Sequence, residues 1–255
     1  KKTLLLCNLI QKSGNNYYFR NGNAKLAGVN MSVEGRYTAG SKDYEFSGGT
    51  KSVSISKVNY PLWLSFLSTN NITAEKGNLD IITVIKGNTT HRKFSISSDF
   101  IIKKAGLKSL TNNIVVRNIE VKGKYTKNFK GLSVVKIDTF SLNSGISRLK
   151  GRFSVQNLNK PKIKGSINGT LELDKLMLFN AISKRTKLNG EIKGDLTIDG
   201  SLSESKESWS TDFMKAIKSG KLEIVNGVVK PVMNPLPSAE INGIVKVRGL
   251  SHVWF

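Results

Sequence analysis

The stretch from Ile163 to Leu173 alternates strictly between polar residues and residues that are apolar or glycine. Ile163, Gly165, Ile167, Gly169, Leu171 and Leu173 fall on one side; Lys162, Lys164, Ser166, Asn168, Thr170 and Glu172 fall on the other. A second run places Ile192, Gly194, Leu196, Ile198, Gly200 and Leu202 opposite Glu191, Lys193, Asp195, Thr197, Asp199 and Ser201. Successive side chains of a strand point to opposite faces, so each run makes a strand with one apolar and one polar side. At about 3.3 Å per residue the first run extends about 35 Å, against a usual strand of about 5–6 residues.

Weaker alternation predicts further strands near residues 3–10, 16–19, 28–37, 44–46, 51–58, 79–86, 93–102, 112–125, 132–142, 148–156, 221–230 and 241–249. Gly14-Asn15, Asn21-Gly22, Gly48-Gly49, Gly87-Asn88, Lys127-Asn128 and Asn143-Ser144-Gly145 are read as the turns between them, since tight hairpins need positive φ. Asn-Gly also recurs unevenly at Asn168-Gly169, Asn189-Gly190, Asn226-Gly227 and Asn242-Gly243, which suits repeated strand addition rather than a solenoid of fixed period. Three short helices are expected, over 60–67, 174–182 and 208–218, with Trp63 and Phe66 on the first and Trp209, Phe213 and Ile217 on the last. They are too short to cover a dozen strands.

That shortage poses a physical problem. Ile163, Ile167, Leu171, Leu173, Ile192, Leu196, Ile198 and Leu202 all project to one side. Burying each is worth about 1.5–3 kcal/mol, so this patch alone demands cover worth about 12–24 kcal/mol. Either a second sheet closes over it as a sandwich, or a curved sheet wraps an apolar guest. Taken alone, the residues favour the sandwich. Strand length, and the glycines on the apolar side where a sheet can bend or admit a guest, argue for the open form.

Composition narrows the function. The chain has 255 residues, enough for one large domain or two small ones, and carries 40 Lys+Arg against 18 Asp+Glu, a formal charge of +22. An AT-rich genome inflates Lys, but it inflates Glu too, so the imbalance calls for an anionic neighbour. The cations are spread singly rather than in a basic arm, as on one wet face of a sheet. No apolar run reaches the length of a membrane helix. Lys1 to Cys7 has the outline of a lipoprotein signal, but its apolar stretch is short and Leu6 stands where a small residue belongs; an ordinary strand is the plainer reading.

Enzyme signatures are missing. There is no G-x-S-x-G and no H-E-x-x-H, and Ser219-Gly220-Lys221-Leu222 lacks the rest of a phosphate loop. Single Cys7 and two histidines, His91 and His252, exclude an internal disulfide and leave little for a metal site. Asp195 and Asp199 share a strand face beside Lys193, as solvated charges do. Asn30, Asn71, Asn88 and Asn168 begin glycosylation-type triplets, which an Asn-rich chain generates by chance. A single-strand nucleic-acid binder would interleave exposed aromatics with bases, and Tyr17, Tyr18, Phe19, Tyr37, Tyr44 and Phe46 are the candidates, though core packing is their commoner fate.

From Leu149-Lys150-Gly151-Arg152-Phe153, through the Asn157-Leu158-Asn159-Lys160-Pro161 corner, to Leu171-Glu172-Leu173-Asp174-Lys175-Leu176, the sequence resembles the AsmA-like family of bacterial envelope proteins. The likeness continues through Leu188-Asn189-Gly190-Glu191-Ile192, Ser219-Gly220-Lys221-Leu222-Glu223-Ile224 and Pro235-Leu236-Pro237-Ser238-Ala239-Glu240-Ile241-Asn242-Gly243. It is strongest over 149–249 and looser over 1–148, so an N-terminal and a C-terminal set of repeats are expected in one continuous sheet. The resemblance implies an all-β, long, curved, mainly antiparallel sheet of repeating β-groove type with two or three short helices. It also implies the periplasm of a Gram-negative bacterium, an inner-membrane anchor outside this chain, and a part in moving phospholipid between the two membranes.

On that reading Ile163, Ile167, Leu171, Leu173, Leu196, Ile198, Leu222 and Ile224 line a groove for acyl chains. Lys162, Lys164, Lys184, Arg185 and Lys187 stand at its rims for anionic head groups, and Trp63, Phe66, Trp209 and Phe213 plug it or touch a membrane. No catalytic residue, metal or cofactor is expected. Phospholipid, the inner and outer membranes and other envelope proteins are the expected partners. A closed β-sandwich scaffold acting through protein contacts is the alternative, and a nucleic-acid-binding sheet a more distant one.

Overall fold

The computed structural model describes residues 5–6, 9–26, 29–58, 71–111, 113–158, 160–175, 186–201, 217–231 and 239–248. They form a 14-stranded sheet. Its strands are β1 (Leu5–Leu6), β2 (Leu9–Ser13), β3 (Asn16–Leu26), β4 (Val29–Thr38), β5 (Asp43–Ser54), β6 (Ile72–Asn88) and β7 (Lys93–Ser109). There follow β8 (Val115–Lys127), β9 (Ser133–Ser144), β10 (Ser147–Gln156), β11 (Lys162–Glu172), β12 (Thr186–Ser201), β13 (Ile217–Pro231) and β14 (Ala239–Arg248). From β3 to β14 each strand pairs antiparallel with the strands before and after it in the chain, while β1 and β2 both pair with β3. The sheet is open, neither closed nor strongly curled.

Long amphipathic strands explain this plainness. β6 and β7 run 17 residues each, and a chain that only turns back on itself needs no crossover. Gly14-Asn15 and Gly145-Ile146 make two-residue turns, with Gly14 at φ 57° and Gly145 at φ 63°, the left-handed region that hairpins require. Because consecutive strands run oppositely, the described connecting residues 14–15, 39–42, 89–92, 128–132, 157–158 and 160–161 lie along one edge of the sheet, and 55–58, 110–111, 113–114, 145–146 and 173–175 along the other.

Several expected turns are strand interiors. Gly48-Gly49 lies inside β5, where a side chain on either glycine would meet a neighbouring backbone carbonyl, Ser32 O at 2.9 Å and Ile81 O at 2.8 Å. Gly87-Asn88 ends β6, and Asn21-Gly22 forms a bulge in β3 with Asn21 at φ 52°. All four later Asn-Gly pairs sit within strands. Glycine here signals close approach of neighbours or a bulge as often as a turn. The strand expected to run to residue 58 ends at Ser54 in a 3-10 helix, Ile55–Lys57, and another 3-10 turn covers residues 173–175. Among the described residues there is no α-helix. The expected helix over 60–67 lies outside them, as do 176–182 and 208–216, while Ile217 and Lys218 belong to β13.

A row of irregularities crosses β5 to β8 at matched height. Ser52, Gly77, Lys104 and Asn118 take positive φ there, and pairing slips between Thr50 and Val53, around Lys76, between Ile102 and Ala105, and beside Ile119. Aligned bulges increase local twist and crease a sheet. Asp80 ties this crease together: its Oδ1 accepts the Ser52 N–H at 2.7 Å and its Oδ2 accepts the Lys103 ammonium at 2.8 Å. On the β6–β8 side of the crease nearest the 110–114 turn, Ile72, Leu107, Val116 and Leu142 form the buried cluster, with Ala74, Ile119, Phe140 and Leu149 against it.

That cluster is small for the chain. Accessible surface totals 16417 Å², against roughly 11,000 Å² for a compact monomer of 28.1 kDa. Leu107→Ala is expected to lower unfolding free energy by about 2–4 kcal/mol in a urea titration, and Leu149→Ala, partly exposed, by clearly less. Equal losses would contradict a core confined to this corner.

The Lys103 hydrogen bond, then the Ser52 amide, hold the Asp80 carboxyl below its usual 3.8. A group lowered on folding contributes stability that is complete above the unfolded value and disappears as pH falls through the folded one. The stability gap between the parent chain and Asp80→Asn is therefore expected to be constant near neutrality and to close in acid. A gap that survives strong acid would mean the carboxylate charge is not what matters.

Candidate functional site

Cross-strand register sorts the side chains into two faces, because directly paired residues point the same way. One row on the apolar face runs Val53, Leu79, Ile102, Val121 and Phe140 across β5 to β9. It continues through Gly151, Ile167 and Leu196 to β12. A parallel row runs Ile81, Phe100, Gly123, Ile137, Phe153, Gly165 and Ile198 across β6 to β12. At about 4.8 Å between strands, the longer row forms a band about 34 Å long, perpendicular to the chain direction.

The band is incompletely covered. Leu79, Ile81, Phe100, Ile102, Val121, Ile137, Phe140, Phe153, Ile167 and Leu196 are all partly exposed. Described strands make their substantial contacts with sheet neighbours, apart from Ile55–Lys57 against β6, so no second layer lies over this face among the described residues. Aromatic rings pave it instead. A side chain added at Gly123 would meet Phe100 Cζ at 2.8 Å, and one at Gly165 would meet Phe153 Cδ1 at 2.8 Å. Phe46 lies against Gly35 and the Tyr44 hydroxyl against Gly87 in the same manner. A ring lying across a bare glycine fills the gap in the face without standing far above it. The space that glycine leaves on the Gly165 side is thus occupied by the protein's own Phe153, not left for a guest.

The expected groove residues divide. Ile167, Leu171, Leu196 and Ile224 are partly exposed on the apolar face. Ile163 is 8% exposed and Ile198 is wholly buried, so both are interior rather than lining. Leu173, 8% exposed, lies in the 3-10 turn past the end of β11. Leu222 is in β13, paired with Gly194 of β12. Ile81, Phe100, Ile102, Val121, Ile137, Phe140 and Phe153 were not among the expected residues; weak alternation in 79–86, 93–102, 112–125, 132–142 and 148–156 was their only signal, and register unites them.

The opposite face is charged. Lys86 pairs with Glu45 at 2.8 Å, Lys136 with Asp138 at 2.7 Å and Lys124 with Asp99 at 3.6 Å. Lys162 and Lys164 point to this face, Lys162 at the strand end and Lys164 4.0 Å from Asp199; neither overhangs the apolar face. Lys187 is in β12, whereas Lys184, Arg185, Trp63, Phe66, Trp209 and Phe213 lie outside the described residues. On β10, Lys150 and Arg152 are exposed and paired across the sheet with Ser141, Asn168 and Ser166 rather than with carboxylates.

Of the aromatics considered for base stacking, only Tyr18 is on the charged face. Tyr17, Phe19, Tyr37, Tyr44 and Phe46 cluster on the apolar one, with Phe19 and Phe46 centroids 5.6 Å apart. A shallow polar depression of about 420 Å³ opens at the other edge, between Asn113, Arg117, Asn143 and Asp174. Among the described residues no three His, Cys, Asp or Glu side chains gather as a metal site, and no helix is long and apolar enough to cross a membrane. The boundary expected at 148/149 falls inside β10.

Family models, curated proteins and solved structures offer no match to the chain.

The paving makes a specific demand on Gly123, whose added methyl would also meet the Lys136 carbonyl and Ile137 Cδ1 at 3.1 Å. Gly123→Ala is expected to cost about 1–3 kcal/mol in chemical denaturation despite the higher strand propensity of alanine. Gly131→Ala, in a turn with nothing within 4 Å but at φ 83°, tests strain alone and is expected to cost less. A neutral Gly123→Ala would show that the ring does not lie there.

Proposed function

We propose that this chain is the lipid-holding part of an envelope protein, with acyl chains of phospholipid lying along the apolar face and head groups toward the turns. One observation carries the reading: an apolar band that runs across eight strands, β5 to β12, and is partly exposed over most of its length. Exposed apolar surface on this scale marks a binding site, and a band without convergent polar groups suits hydrocarbon better than a polar substrate. The resemblance of residues 149–249 to AsmA-like proteins supports the same conclusion. In this reading the sheet curves into a shallow trough in the periplasm of a Gram-negative cell and passes phospholipid between inner and outer membranes. No bond is broken, so no catalytic residue is required.

Ile81 and Ile82 supply a matched test. They are adjacent in β6 and point to opposite faces: Ile81 pairs with Phe100 on the apolar one, while Ile82 pairs with Asp99 and is 57% exposed on the charged one. The purified chain is expected to carry phospholipid in native mass spectrometry and to bind a fluorescent fatty acid. Ile81→Gln should weaken that binding about fivefold or more, and Ile82→Gln should leave it unchanged. A lipid-free chain that ignores the fatty acid would instead favour the scaffold reading, in which the apolar face meets protein.

A further inference from the structure

We infer that the edge carrying the 128–132 turn is a docking surface for an anionic phospholipid bilayer. This goes beyond the acyl-chain reading and does not need it, since the edge can dock while the apolar face is empty. The turn displays two apolar side chains, Phe129 at 52% and Leu132 at 55% exposure. It is a built feature. Asn128 Oδ1 accepts the N–H groups of Lys130 and Leu132, each at 3.0 Å, the Asn128 N–H donates to the Leu132 carbonyl at 3.0 Å, and Gly131 supplies φ 83°. Phe129 borders a shallow depression lined by Arg36, Lys86, Asp43 and Glu45, in which Lys86 pairs with Glu45 at 2.8 Å, and remains half exposed there.

Charge selects the partner. Lys42, Arg92, Lys93, Lys130 and Lys162 are exposed along this edge, and its described connecting residues, 14–15, 39–42, 89–92, 128–132, 157–158 and 160–161, contain no carboxylate. The nearby Asp43 is engaged by Asn88 Nδ2 at 2.7 Å. The other edge also exposes Leu110 and Ile146, but on separate turns, with Glu172 and Asp174 beside them. Apolar side chains set among cations fit a bilayer: Phe and Leu enter the head-group boundary while Lys and Arg meet lipid phosphates. A nucleic-acid backbone uses the cations alone and leaves Phe129 and Leu132 without a role.

The test is co-sedimentation of the full chain with vesicles of phosphatidylcholine alone and of phosphatidylcholine mixed with phosphatidylglycerol, with a labelled DNA duplex run in parallel. Strong, salt-sensitive binding to the mixed vesicles and little to the neutral ones is expected. Phe129→Ser with Leu132→Ser should weaken it about tenfold, Lys130→Glu should weaken it severalfold, and Leu110→Ser with Ile146→Ser should leave it unchanged. Circular dichroism checks that each variant folds, and should the double serine variant not fold, Lys130→Glu decides. Equal binding to both vesicle types overturns the inference. So does vesicle binding that ignores the substitutions at 129, 130 and 132 while the duplex binds as tightly, which would mark a general polyanion contact. Because the readout is vesicle binding and not fatty-acid binding, it stands or falls separately from the reading of the apolar face.

Discussion

A single sheet satisfies every interior backbone N–H and C=O by pairing strand to strand, but it hides at most what the neighbours' side chains can cover. In this protein that limit governs the rest. Strands of up to 17 residues give strong pairing, while the band from Val53 to Leu196 remains a surface rather than a core. Burial is concentrated where the crease lets Ile72, Leu107, Val116 and Leu142 close on one another. Stability thus comes from pairing, that corner and scattered buried side chains such as Met31, Ile163 and Ile198, and the remaining apolar face is left to interact with something else.

The crease and the paving are two responses to the same limit. Positive φ at Ser52, Gly77, Lys104 and Asn118 turns one end of four strands enough to make a local interior. Farther from the crease, Phe100 and Phe153 lie across Gly123 and Gly165 and raise cross-strand contact without a second layer. The charged face supports both through cross-strand ion pairs such as Lys86–Glu45, individually weak because they are exposed. Lys150 and Arg152, facing hydroxyls and an amide instead, keep the positive charge of that face turned outward.

Much of this was legible in the sequence, and the reasons for the rest are physical. The alternation at 163–173 and 191–202 identified β11 and β12 with their inward sides correct, because period two survives any choice of partner. Strand limits were harder. Gly48-Gly49 looked like a turn, since composition does not distinguish a glycine needed for positive φ from one needed for a neighbour's close approach. Bulges were invisible: Ser52, Lys104 and Asn118 take positive φ for the sake of pairing with strands dozens of residues away. The apolar face could be read strand by strand but not as a band, because Ile81, Phe100 and Ile137 become neighbours only through register. Ile163 and Ile198 carry the same alternation as Ile167 and Leu196 yet are interior, a difference that depends on tertiary cover rather than period.

The two faces also constrain function jointly. A sheet built to stack bases would carry aromatics and cations together on one side, whereas here most lysines lie across the pleat from the Tyr17, Phe19, Tyr37, Tyr44 and Phe46 cluster, with Lys12 beside Tyr17 and Lys127 beside Phe94 as exceptions near strand ends. This keeps the middle of the hydrocarbon-like surface free of charge, which a guest without polar groups requires, since each buried unpaired charge would cost several kcal/mol. It also makes the turns the place where apolar and basic surface meet. Cation and ring come together there in Lys127, whose ammonium lies 4.5 Å from the Phe94 centroid, one turn away from Phe129 and Leu132. A molecule that is charged at one end and hydrocarbon at the other is matched by that boundary better than by either face alone.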